Sequence, residues 1–159
     1  MTRKTRTPED SASEATHLVL PPDSNVHGTL FGGRIMEWMD VIAGIAAGRH
    51  AGGPVVTLSV DSIRFSRPIN MADVVILKAS VNYAGNTSME VGVYVEREDP
   101  QNEYREHCLT GYFTFVAVDA AGKPRQVPIL VPQTEKDKQR YHRAQERRAR
   151  RLETSSTTK

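Results

Sequence analysis

Residues Phe31–His50 read "FGGRIMEWMDVIAGIAAGRH", and the fold turns on how that stretch packs. Its apolar residues, from Ile35, Met36, Trp38 and Met39 through Val41 and Ile42 to Ile45 and Ala46, surround nearly the full helical circumference instead of one stripe. Such a helix is expected to be buried on most sides. "HAGGP" follows, with glycines for a left-handed cap and Pro54 to forbid continuation. In this apolar company stands Asp40. A carboxylate there is costly unless something satisfies or uses it. Burial would push its pKa upward and strengthen it as a base, and hydrogen bonds to the ionised form would pull it back. The plain alternative is a structural aspartate held in such bonds.

Upstream, "LPPDSNVHGTL" (residues 20–30) and the first helical residues place Gly28, Gly32 and Gly33 around the start of the helix. A helix N-terminus offers unpaired N–H groups and the positive end of a dipole, a setting for an anion or a developing oxyanion. Gly32 and Gly33 are the expected backbone donors, because without side chains they let a ligand come close. The loop lacks the GxxxxGK[ST] and GxGxxG phosphate patterns, and a tight turn is its bland reading. Before it, "THLVL" (residues 16–20) reads as a short strand ended by Pro21 and Pro22. Residues 1–14 are polar without hydrophobic period and are expected to be disordered.

Downstream everything reads as strand. "VVTLSVDSIRFSR" is rich in β-branched residues, "DVVILKASVNY" follows a turn at "PINMAD", and "SMEVGVYVERE" alternates, with Met89, Val91, Val93 and Val95 on one face. "YREHCLTGYFTFVAVD" is the last long strand. One buried helix followed by four long strands predicts a two-layer α+β domain, an antiparallel sheet curled around the helix, over residues 15–132. An apolar outer face or edge on that sheet would call for a second copy.

The chain has 159 residues, 38% of them hydrophobic, enough for one domain. Its one cysteine, Cys108, has no disulfide partner and no CxxC or histidine-rich neighbourhood, which predicts an intracellular, cytoplasmic protein without a metal site. The longest apolar run is broken by Glu37 and Asp40, so neither a leader nor a membrane span is expected. Net charge is only +2, yet Lys136, Lys138, Arg140, Arg143, Arg147, Arg148, Arg150 and Arg151 crowd residues 133–159. This basic tail, helical or disordered, hints at an anionic partner but reads more plainly as a solvated terminus. Tyr141 is its one stacking platform, so nucleic acid is not expected.

In order along the chain, "PPDSNVHGTLFGGRIMEWMD", "VVTLSVDSIRFSRPI", "DVVILKASVNYAGNTSMEVGV" and "FTFVAVDAAGKPRQVP" resemble the hot-dog-fold acyl-CoA thioesterases, the group of the cytosolic brain-type acyl-CoA hydrolase and its bacterial single-domain relatives. The likeness spans residues 16–132. It implies a curled sheet wrapped on one central helix, two such units paired as a double hot-dog, and a trimer of dimers. It implies hydrolysis of a fatty acyl-CoA thioester to a free acid and coenzyme A, which is then substrate and product, with no cofactor. It implies an essential pair, Asn25 before the helix and Asp40 within it, the aspartate as general base or nucleophile. One departure is visible: Ala72 in "INMAD" stands where relatives carry glycine, which puts that turn's geometry in question.

The remaining roles combine the resemblance with the chemistry. Asp40 lies about seven residues beyond Gly33, roughly 10 Å along a helix, too far to serve its own N-terminus. Each site is therefore expected to be shared across the dimer. Asn25 would hold the water or the thioester carbonyl, and His27 would line the mouth. Coenzyme A carries phosphates, for which Arg64, Ser66 and Arg67 in "RFSRP" and Gly85, Asn86, Thr87 and Ser88 in "AGNTS" are the candidates; exposed arginines and a hairpin turn are the plain alternative. His50 is expected to cap the helix end. A Ser/His or Cys/His device is set aside, because no GxSxG elbow is present. The competing functions are a non-catalytic acyl-CoA sensor and another hot-dog enzyme such as a hydroxyacyl dehydratase.

Overall fold

The computed structural model describes residues 2–158. Helix α1 spans Gly32–Ala51 and ends on Gly52, whose φ of 70° is the left-handed cap that "HAGGP" promises. It is followed by β3 (Val55–Phe65), β4 (Val74–Ala84), β5 (Ser88–Asp99) and β6 (Tyr104–Ala117). Ahead of α1 come β1 (Thr5–Arg6) and β2 (Ser13–Leu18); after β6 come β7 (Ile129–Leu130) and α2 (Glu135–Thr157).

Five strands form one antiparallel sheet in the order β2-β4-β5-β6-β3. The alternation read from β5 holds: Met89, Val91, Val93 and Val95 are all buried and join Phe113, Phe115 and Leu109 against Ile35, Met39, Ile42 and Ala43 of α1. Gly111 on β6 makes this approach possible, because a Cβ there would lie 2.7 Å from the Met39 Cε and 3.2 Å from Ile63. The two edges of the sheet are β2 and β3.

Three expectations change. First, α1 is not enclosed on most sides. Ile35, Met39 and Ala46 are fully buried, whereas Met36, Val41 and Ile45 are 46%, 60% and 44% exposed. On β3, Val56, Leu58 and Val60 are also exposed, and Val60, paired with the inward-facing Phe113, extends the apolar face of the helix to the sheet edge. Composition alone does not separate a helix buried in its own sheet from one that also faces another surface.

Second, residues 2–14 are built into the fold. β1 pairs in parallel with β7, the turn Pro8–Ser11 buries Pro8 and Ser11, and Ser11 Oγ accepts from the Val81 N–H at 2.9 Å. Their partners lie so far along the chain that no local periodicity announces them.

Third, α2 lies on the outer face of the sheet instead of projecting as a solvated tail. The Arg147 guanidinium donates to both oxygens of the buried Glu90 at 3.0 and 2.7 Å and stacks 3.6 Å over Tyr112. Arg151 pairs with Asp61 at 2.6 Å, and Tyr141 packs on Tyr83. Part of the positive charge is thus spent on the domain's own carboxylates.

The turn at Ala72 keeps the geometry that favours glycine. Ala72 has φ 72°, and its N–H donates to Val19 O at 2.8 Å, so the hydrogen bond holds an alanine in the left-handed region.

Candidate active site

Asp40 sits at the middle of α1, half-buried beside the apolar face, and Oδ1 accepts a 2.8 Å hydrogen bond from the Thr57 hydroxyl of β3. The apolar enclosure suggested by Trp38, Met39, Val41 and Ile42 is absent in one subunit, because Trp38 turns the other way and stacks on His17. Thr57 escaped the sequence reading. Its one signal was a hydroxyl within the apolar run "VVTLSV", on a strand position that its pairing with Phe115 turns toward the helix.

At the N-terminus of α1 the cap residue is Phe31, whose side chain makes no capping bond, and the first turn carries no acidic residue. The N–H groups of Gly32 and Gly33 are therefore uncapped, while Arg34 beside them is held in ion pairs with Asp23 at 3.2 Å and Glu37 at 3.2 Å. A Cβ on Gly32 would meet nothing within 4 Å. This helix end opens into a cleft of about 340 Å³ lined by Thr29, Leu30, Gly32, Phe65, Ser66 and Arg67.

Asn25 is held in the loop that leads there. Its Oδ1 accepts from the N–H groups of His27 at 2.9 Å and Thr29 at 3.2 Å, and Nδ2 donates to the Thr29 hydroxyl at 2.8 Å. The amide has a second N–H to give. Gly28, φ 73°, completes the turn, and its N–H donates to Asn25 O. The turn-forming role and an orienting role are compatible. His27 is exposed at the loop tip.

The structure thus gathers the sequence candidates into three places. Asn25, His27, Gly32, Gly33, Ser66 and Arg67 cluster at the N-terminal end of α1, with the exposed Arg64 near the end of β3. Asp40 and Thr57 lie further along the helix. Gly85, Asn86, Thr87 and Ser88 form the β4–β5 turn beside Ala117, at the other end of α1, and no hydrogen bond joins Asp40 to Asn25 among the described residues.

His50 does not cap its own helix. Its fully buried ring meets Pro128 O at 3.0 Å, and burial pushes its pKa below the ordinary histidine value. Cys108 is buried mid-strand, and burial pushes its thiol pKa up, against a nucleophilic role.

A curled antiparallel sheet wrapped on a central helix, with a carboxylate on that helix beside a sheet edge, defines a hot-dog fold of the thioesterase type. The family model described as "Thioesterase superfamily" matches residues 27–104, and the chain belongs to the acyl-CoA thioester hydrolases of that superfamily. It is 44% identical over 136 residues to YkhA of Bacillus subtilis (strain 168), named an uncharacterized acyl-CoA thioester hydrolase, covering 86% of this chain and 79% of that protein. Among solved structures, the acyl-CoA hydrolase from Staphylococcus aureus in complex with butyryl coenzyme A, coenzyme A and coenzyme A disulfide superposes with a TM-score of 0.87 at 39% identity, over 97% of this chain and 96% of that one. An apo-hexameric acyl-CoA thioesterase superposes with a TM-score of 0.92 at 39% identity, over 96% and 97% of the two chains. The Staphylococcus aureus enzyme has also been solved with alanine in place of an asparagine, an aspartate or a threonine, and those three positions have the spacing of Asn25, Asp40 and Thr57 here.

Proposed function

We propose that this protein hydrolyses fatty acyl-CoA thioesters in the cytoplasm, in sites shared between two copies of the chain. The observation that carries the reading is the Asp40–Thr57 bond at the rim of an apolar face. β3 is a sheet edge whose start lies beside Thr57 and whose end lies beside Ser66 and the cleft. Antiparallel pairing of two β3 edges about a two-fold axis sets the start of one against the end of the other. Asp40 and Thr57 of one copy then meet Asn25, Gly32 and Gly33 of the second, and Met36, Val41, Leu58 and Val60 leave water. The known hexameric relatives support a homo-oligomer, for which we propose a trimer of dimers.

In this site Asp40 takes a proton from water, and the oxygen adds to the thioester carbonyl. The N–H groups of Gly32 and Gly33 hold the oxyanion, and the free Asn25 N–H orients the carbonyl or the water. Collapse of the tetrahedral species breaks the C–S bond, Asp40 gives its proton to the departing sulfur, and a carboxylic acid and coenzyme A are released. His27 lines the mouth, and Arg64, Ser66, Arg67 and the turn Gly85–Ser88 receive the phosphates. Direct attack by Asp40 would form a mixed anhydride at the same carboxylate; single-turnover hydrolysis in ¹⁸O water, followed by mass analysis of the protein, separates the two.

The test is thiol release from a panel of acyl-CoAs of increasing chain length. Stoichiometric thiol and free acid are expected. Binding without thiol release would make the protein a sensor, and conversion of 3-hydroxyacyl groups without thiol would make it a dehydratase.

A further inference from the structure

The β4–β5 turn directs its backbone carbonyls to partners within the protein. All four carbonyls of Gly85–Ser88 are taken up inside the protein: Gly85 O by the Arg3 guanidinium, Asn86 O by the Val127 N–H at 2.9 Å, Thr87 O by the Ala117 N–H at 3.0 Å and Ser88 O by the Gly85 N–H at 2.8 Å. The Asn86 side-chain oxygen accepts from Gln126 Nε2 at 3.0 Å. The hydroxyls of Thr87 and Ser88 take no part in hydrogen bonds among the described residues. A turn whose carbonyl oxygens face inward repels an anionic oxygen less than one that displays them, and its hydroxyls remain free to donate.

Arg3 is the one charged group in that arrangement. Its Nε donates to Val127 O at 2.6 Å and its Nη2 to Gly85 O, with Asn86 O at 3.5 Å. The guanidinium fork therefore draws two segments together and sets a positive charge behind the turn. The strand registers place this turn near the proposed chemistry: Ser88 pairs with Val116, and Val116 pairs with Val56, next to Thr57. Two strand spacings separate the turn from β3, about 10 Å.

We infer that Arg3 is a positioning residue for recognition of the phosphorylated half of the thioester: by holding the Gly85 carbonyl inward, it leaves the turn as a donor surface for a phosphoryl group. This rests on the acyl-CoA hydrolase reading above. On this reading the effect falls on the nucleotide end of the substrate and not on its acyl half.

The experiment compares butyryl-CoA with butyryl-pantetheine, which lacks the nucleotide, for the natural protein, Arg3→Ala and Arg3→Lys. Arg3→Ala is expected to raise KM for butyryl-CoA roughly tenfold, with kcat within about twofold and butyryl-pantetheine kinetics unchanged. Arg3→Lys keeps the charge without the fork and falls between. Equal losses on both substrates would reduce Arg3 to a scaffold contact, and an unchanged KM for butyryl-CoA would overturn the inference outright. If the natural protein releases no thiol from either substrate, the hydrolase reading fails by itself; calorimetric binding of free coenzyme A to the same three proteins then decides whether Arg3 governs phosphate recognition.

Discussion

The Thr57 hydroxyl donates to Oδ1 of Asp40 across 2.8 Å, tying the edge strand to the central helix at the proposed catalytic carboxylate. Replacing Asp40 by Asn is isosteric and keeps the Thr57 contact, so folding should be preserved while kcat falls about 10²–10⁴-fold. Thr57→Val removes one neutral-to-charged hydrogen bond and is expected to lower kcat roughly tenfold with little change in KM. Steady-state kinetics alongside thermal unfolding check both; normal turnover by Asp40→Asn would remove the residue from the mechanism.

Site sharing makes a sharper prediction. Asp40→Asn and Asn25→Ala should each be inactive alone. Unfolded together and refolded as a mixture, half of the dimers are mixed, and each mixed dimer contains one intact site. Recovery of about a quarter of the natural activity is expected for random two-fold pairing. A mixture as inactive as its components would place Asp40 and Asn25 in the same subunit's site.

Ala72 holds φ 72° in a turn where glycine is free of strain. Ala72→Gly should raise stability by about 0.5–1 kcal/mol, the left-handed penalty less the added freedom of the unfolded chain. For a chain of this size that is a rise in Tm of roughly 1–4 °C, read by differential scanning calorimetry.

His50 gives the fold a slope with pH. Its pKa is lowered by burial, with the nearby Arg6 and Arg3 acting in the same direction and the Pro128 carbonyl and Asp10 opposing. Above its ordinary value of 6.5 the ring is neutral in both folded and unfolded chains. Below that value the unfolded chain takes up a proton that the folded chain resists, so stability declines until the native pKa is passed. His17, pushed the same way by burial, adds to the slope. His50→Gln, which can still donate to Pro128 O, should flatten the fall in Tm below pH 6.5 relative to the natural protein. An identical slope in the variant would assign the acid sensitivity elsewhere.

The parts of this molecule governed by local rules were legible. The strands β4, β5 and β6 follow one another as hairpins, so their alternation and turns are written within a few residues, and α1 ends on its own glycine cap. Asp40 stood out because charge conflicts with its neighbours, whereas Asn25 was singled out only through the resemblance to the thioesterases. What stayed hidden is contact between distant segments: Glu90 with Arg147, 57 residues on, and Arg3 with Val127, 124 residues on. A polar N-terminus and a basic C-terminus look alike whether they are solvated or docked, since the difference lies in a carboxylate or carbonyl elsewhere on the sheet. The half-exposed state of Asp40 was equally hidden, because it depends on which side of α1 faces the sheet.

The parallel pairing of β1 with β7 carries a consequence for how the chain is made. Among the described residues Thr5 and Arg6 find strand partners only at Ile129 and Leu130, so β1 must wait until β7 has emerged. The hairpins β4–β5–β6 close short loops and form early, whereas this ladder closes the longest one. Although β1 precedes every other strand described here, it is therefore among the last to be seated, and a protease present during synthesis should reach it before those strands.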